Sequence, residues 1–223
     1  MKMALRVLVI FLAVVCIANV SYAVLPFDIG AKGGVNIANA SLDNITLPPG
    51  IEKGSKSGFI AGGVLEANLP GPLSIALEIL YTQKGTKLEG QIDPGTGTPV
   101  KATQTESVST LEFPLLAKAK FGAGMVKPII LAGPSVGIVL TAEEKLEAEG
   151  LGSQTTDTKD NTSSIDFGIV AGAGVEIKVA PMVSLTGEAR YQLGLSNLVK
   201  NPAANESIKS NGIQFLVGIL VGL

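Results

Sequence analysis

Leu73-Ser74-Ile75-Ala76-Leu77-Glu78-Ile79-Leu80-Tyr81 places apolar residues at every odd position, while its even positions include Ser74, Ala76 and Glu78. Alternate side chains of a strand face opposite sides of a sheet, so this period of two specifies a strand with one strongly apolar face. Glu78 sits in the middle of the other face. Residues 73–84 therefore read as a strand, closed at its start by the turn Pro70-Gly71-Pro72.

The same period recurs on both sides of that stretch. In residues 164–179, Ile165, Phe167, Ile169, Ala171, Ala173, Val175 and Ile177 share one phase, and Asp166, Glu176 and Lys178 share the other. In 183–195, Val183, Leu185, Ala189, Tyr191 and Leu193 oppose Ser184, Thr186, Glu188, Arg190 and Gln192. In 57–69, Phe59, Ala61, Leu65 and Ala67 oppose Glu66 and Asn68; in 110–121, Leu111, Phe113, Leu115 and Phe121 oppose Glu112, Lys118 and Lys120. With 27–38, 126–140 and 211–223 these make eight strands, and no helical period competes with them.

The joins between strands alternate in length. Short ones fall at 70–72, 122–125 and 180–182; long polar ones fall near 39–56, 85–109, 141–163 and 196–210. A sheet threaded through a membrane sorts its loops in this way, because one rim faces a confined compartment and the other faces outside. Lys32, Lys84, Lys127 and the strand charges named above all occupy the less apolar phase. The eight aromatics from Phe27 onward all occupy the apolar one, with Phe59, Tyr81, Phe113, Phe167, Tyr191 and Phe215 toward the long joins. That distribution is the pattern of an interfacial girdle. Periodicity alone leaves open which face points inward. Many glycines and both signs of charge on the polar face suit a narrow interior held by ion pairs. Pro114, Pro128 and Pro134 each remove a ladder donor, which predicts bulges or bends in the fourth and fifth strands.

Export is written at the start of the chain. Lys2 and Arg6 precede an apolar run to Ala18, and Ser21-Tyr22-Ala23 has the small-x-small form of a cleavage site. Val15 is bulky where a lipobox needs a small residue, so Cys16 reads as part of the apolar run rather than as a lipid anchor. Residues 1–23 are thus expected to be a signal peptide and 24–223 a single barrel domain. Removing the leader changes the formal charge from −2 to −4, the wrong balance for nucleic-acid binding. Mean hydropathy is +0.42, yet no stretch after the leader reaches the ~18 apolar residues of a spanning helix.

At the level of motifs, Gly30-Ala31-Lys32-Gly33-Gly34-Val35-Asn36, Tyr81-Thr82-Gln83-Lys84-Gly85, Leu111-Glu112-Phe113-Pro114-Leu115-Leu116 and Lys127-Pro128 followed by Ala132-Gly133-Pro134-Ser135 resemble the first, third, fourth and fifth strands of the outer-membrane β-barrel ("porin family") domain. The resemblance spans nearly the whole exported chain. It implies an all-β, eight-stranded antiparallel up-and-down transmembrane barrel in a bacterial outer membrane, with no implied reaction. It also implies membrane lipid and the barrel assembly machinery as partners. Phe215 to Leu223 resembles the final strand of such barrels, with Leu223 in place of the usual aromatic.

Candidate chemistry is sparse. The chain has no histidine, and its one cysteine lies in the leader, so Ser-His and Cys-His nucleophile pairs cannot form. Glu78, Glu112, Lys118, Lys120, Asp166, Glu176, Glu188 and Arg190 form the candidate set, read as a structural charge network in the lumen rather than an acid–base site. Gly122-Ala123-Gly124 and Gly172-Ala173-Gly174 lack the third glycine and the helix of a phosphate loop. Asp157-Thr158-Lys159-Asp160-Asn161 lacks the spaced oxygen ligands of a calcium loop. The sequons at Asn44, Asn161 and Asn205 mark polar joins. No cofactor is expected.

Eight strands leave room inside for side chains but not for a diffusion pore, which takes roughly 16–18 strands. The expected function is a non-enzymatic barrel with a structural or surface-binding role through four long external loops. Two alternatives remain at this level. One is a soluble, secreted lipocalin-like barrel with its apolar phase turned inward around a ligand; the other is a narrow channel.

Overall fold

The computed structural model describes residues 26–43, 51–92, 100–148, 152–159, 163–196 and 207–223. The leader, its cleavage site, Cys16 and the three sequons lie outside the described residues. Among the described residues there are nine strands: β1 (Phe27–Asp43), β2 (Glu52–Asn68), β3 (Leu73–Ile92), β4 (Val100–Lys120), β5 (Val126–Ala148), β6 (Gly152–Asp157), β7 (Ile165–Ala180), β8 (Val183–Gly194) and β9 (Ser207–Gly222). Each ring strand pairs antiparallel with its neighbours in the order β1-β2-β3-β4-β5-β7-β8-β9, and β9 returns to β1 from Asp28↔Gly222 to Asp43↔Ser207. The ring of eight is closed, so it leaves no free edge along the wall.

The apolar phase points outward. Leu77 is 46% exposed on the outer wall while its neighbour Glu78 is 0% exposed inside. This inverts a soluble barrel and overturns the lipocalin-like alternative, which needs the apolar phase in the lumen. The described aromatics lie on the outer wall, and the rings of Phe59 and Tyr81 stack with centroids 5.2 Å apart. Tight turns close the short-join rim; Gly71 and Gly122, both at φ 85°, adopt a backbone that a side chain would strain.

Two expectations need correction. The first concerns the long joins, whose described parts are largely strand. β3 runs on to Ile92, β4 begins at Val100, β5 continues to Ala148, and β6 adds a further strand against Glu143–Ala148. Polar residues with β-branched neighbours, as in residues 100–109, form ladders readily when both faces meet water. The second concerns the prolines. No register shift occurs at Pro114, Pro128 or Pro134. The ladder merely lapses beside two of them, between Leu77↔Leu115 and Leu80↔Glu112, and between Pro114↔Ser135 and Ala117↔Ala132. The register shifts fall instead at Ser55/Ile60, Ser109/Thr110 and Lys178/Ala180. The first spans Phe59 of the stacked Phe59–Tyr81 pair and the second lies just beyond Tyr81, where the apolar wall ends and the polar extensions begin.

Candidate functional site

The inner phase of the strands delivers charges to the barrel axis. Glu78 from β3 receives Arg190 of β8 bidentately, with Nη1 to Oε2 at 2.6 Å and Nη2 to Oε1 at 2.7 Å. Lys32 of β1 donates to Glu78 at 2.7 Å and to Glu188 at 2.8 Å. Arg190 also holds Glu188 through Nε at 2.9 Å and through Nη2. Lys118 of β4 lies 3.4 Å from Glu188 and 2.7 Å from Glu66. Lys120 lies 2.7 Å from Glu66 and 2.9 Å from Glu176. This central network thus balances Lys32, Lys118, Lys120 and Arg190 against Glu66, Glu78, Glu176 and Glu188. Balance and dense pairing are what make so many desolvated charges tolerable.

A smaller group lies toward the long-join rim. Lys84 sits between Glu112 at 2.5 Å and Asp166 at 3.0 Å. Glu112 also accepts from Gln192 Nε2 at 3.0 Å and Thr82 Oγ1 at 3.2 Å. Asp166 accepts from Ser196 Oγ at 2.6 Å.

Apolar clusters interleave the charges. Ile60, Leu80 and Leu216 form one; Val64, Ala76, Leu116, Ile129, Leu131, Val170 and Leu220 form the other. Glycine makes room for the charged stems. A Cβ on Gly172 would meet Arg190 Cγ at 3.0 Å, and one on Gly174 would meet Glu188 Cγ at 3.0 Å, besides striking the backbone of β8. The mid-lumen is therefore packed with side chains.

Of the eight candidate residues, the structure gathers Glu78, Lys118, Lys120, Glu176, Glu188 and Arg190 into the central network and places Glu112 and Asp166 in the outer group. Lys32, Glu66 and Lys84 complete the two sets. They were legible only by phase, since each stands on the polar face of its strand. The inward apolar residues Ile60, Leu80 and Leu216 gave no such signal, because they interrupt the polar phase.

Residues 18–200 match the model of the outer membrane protein beta-barrel domain family. The chain belongs to that family. This outer membrane barrel is accordingly placed in the bacterial outer membrane. Similar solved structures include Neisserial surface protein A (17% identity over 87% of this chain and 96% of that one, TM-score 0.46). OprG from Pseudomonas aeruginosa is 11% identical over 89% of this chain and 97% of that one, at a TM-score of 0.49. Ail of Yersinia pestis, the attachment invasion locus protein, is 11% identical over 88% and 98%, at 0.37. No curated protein sequence matches this outer membrane barrel.

The strand extensions beyond the girdle carry their own polar groups. Lys145 pairs with Glu147 and Lys87 with Glu89 on exposed surface. In the candidate calcium segment the Lys159 amide donates to Asp157 Oδ1 at 2.9 Å, a local turn; Asp160 and Asn161 lie outside the described residues.

Proposed function

We propose that this protein is a non-enzymatic barrel whose task is to hold a stiff, polar β-sheet above the outer membrane for surface binding. The leader at 1–23 would export it, and the assembly machinery would receive it through β9. One observation carries the reading. β3, β4, β5 and β6 continue as paired strands well past the Phe59–Tyr81 level, with Ile92↔Val100 and Ala148↔Gly152 as their last described pairs. From Tyr81 to Ile92 that is about 35 Å of strand. A wall needed only for anchoring would end at the girdle. The packed lumen supports the same reading, since it puts recognition outside the barrel.

Trimming tests it. Residues 87–105 would be replaced by Asn-Gly, which suits a two-residue hairpin, and residues 143–157 deleted, because the Thr158 amide already bonds the Ala142 carbonyl at 2.9 Å. The expected trimmed protein still reaches the outer membrane and keeps heat-dependent gel mobility. The full chain is expected to confer adhesion to protein-coated surfaces, and the trimmed protein to lose it. Planar bilayers stay silent with both. Undiminished adhesion would overturn this reading, and stepwise conductance from the full chain would replace it with the narrow channel.

A further inference from the structure

At the periplasmic mouth, two inner-face lysines stand outside the ion-pair network. A cavity of about 610 Å³ opens there, with Lys120, Lys127, Lys178, Glu176, Asp28 and Ser184 among its lining residues. Lys127 of β5 stands directly opposite Glu176 of β7 in the ladder, and Lys178 follows two residues later on the same face. Glu176 nevertheless turns to Lys120, at 2.9 Å. Lys120 is held in turn by Glu66. Across the mouth, Asp28 accepts from Asn68 Nδ2 at 2.8 Å. Among the described residues, no carboxylate stands within ion-pair distance of Lys127 or Lys178. Lys32, Lys84, Lys118 and Lys120 of the inner barrel wall each have such a partner.

Two ammonium groups without an ion-pair partner, on neighbouring strands and facing a concave space with low-dielectric walls, make that side of the mouth positive, since Glu176 is engaged by Lys120 and Asp28 lies across it. Ser184, the ladder partner of Lys178, adds a hydroxyl beside them. The rim includes Leu73, Phe121, Met182 and Leu223, all exposed at the level of the tight turns. That level is where the inner leaflet ends and its phosphates begin.

We propose that the periplasmic mouth is a binding site for a phosphate-type anion, held by Lys127 and Lys178 with Ser184 as hydrogen-bond partner. The cavity is much larger than inorganic phosphate, so a phosphomonoester or a phospholipid headgroup fits as well. The site owes nothing to the external sheet and stands or falls separately from the adhesive reading.

The experiment follows lysine signals by NMR on the full exported barrel with its lysines methylated, which keeps their charge. In zwitterionic micelles, inorganic phosphate is expected to shift Lys127 and Lys178 saturably while exposed Lys145 stays put. In phosphatidylcholine vesicles, with or without phosphatidylglycerol, the same two signals report the lipid. A response to free phosphate assigns a soluble source; a response to phosphatidylglycerol alone assigns the headgroup. The Lys127→Gln/Lys178→Gln pair should weaken the responding arm at least about tenfold, the loss expected for removing charge-assisted contacts. Lys127→Arg/Lys178→Arg should restore it. Heat-dependent mobility checks that each variant is folded. No response in either arm, equal shifts at Lys145, or undiminished binding by the Gln pair would overturn the proposal.

Discussion

The two halves of β4 follow different rules. From Thr110 to Lys118 burial alternates strictly, with Thr110, Glu112, Pro114, Leu116 and Lys118 inside and the residues between them more exposed. From Thr103 to Ser109 every residue is half-buried and no face is favoured. Both halves are paired strand, and the ladder lapses only in the lower one, beside Pro114. What differs is the solvent: lipid meets the lower half on one side only, whereas water reaches both sides of the upper half. Alternation is thus a record of the membrane and not of the strand. The register shift at Ser109/Thr110 marks the seam.

The largest break in that comparison is expected from the lower half. Arg190→Ala strips Glu78 of its bidentate partner and leaves Glu188 with lysines alone. Breaking a buried ion pair on one side costs about 3–5 kcal/mol, to be read as a lower urea midpoint for unfolding from phosphatidylcholine vesicles. Removing both charges, as in Glu78→Leu/Arg190→Leu, should recover much of that loss, because the uncompensated carboxylate goes too. If the single variant unfolds like wild type, the network contributes no stability.

Leu77→Lys tests the outer wall at the same depth. Leu77 pairs with Leu65 and Leu115 in the middle of the apolar band, where a lysine costs about 2–4 kcal/mol. The matching change above the seam, Thr103→Lys, puts the cation opposite Glu89 and Glu147 and should stay within about 0.5 kcal/mol of wild type. Equal losses at both positions would show that the seam is not where lipid ends.

The seam also explains what could be read in advance. Strand starts at Phe27, Leu73, Val126 and Val183 follow from turn residues beside alternating runs, and lipid enforces both signals. Residues 85–92, 100–109 and 141–148 looked like loops because polarity on both faces erases the period of two. Their pairing is non-local: Glu89 finds Thr103, which in turn finds Glu147. In the lumen, phase identified the charged residues, but the partner of each depends on strand tilt and stagger. Hence Glu176 reaching Lys120 rather than Lys127 was invisible, and with it the spare cations at the mouth.

The smallest effect belongs to the upper half and is set by pH. Glu106 and Glu144 lie directly opposite each other on β4 and β5, above the seam. Like charges in that arrangement repel. Burial, with the neighbouring Glu144 charge adding to it, pushes the Glu106 carboxyl above the usual carboxylate range. Glu144 accepts from Gln104 Nε2 at 2.9 Å, but Glu106 has no cation of its own among the described ion pairs. A folded-state pKa above the unfolded value means that the folded sheet binds its proton more tightly. Its stabilising contribution is complete below the unfolded value near 4.5 and is lost as pH rises through the folded one. Hydrogen exchange of the amides in residues 102–108 and 142–148, corrected for intrinsic rates, should therefore show tighter protection at pH 4 than at pH 7. Glu106→Gln should gain about 0.2–1 kcal/mol at pH 7, the range for a cross-strand pair, and lose most of the pH dependence. Because the lower half is anchored by lipid and by balanced ion pairs, amides of residues 110–118 should not follow this change. If they do, the two halves of β4 open as one unit and the seam has no energetic meaning.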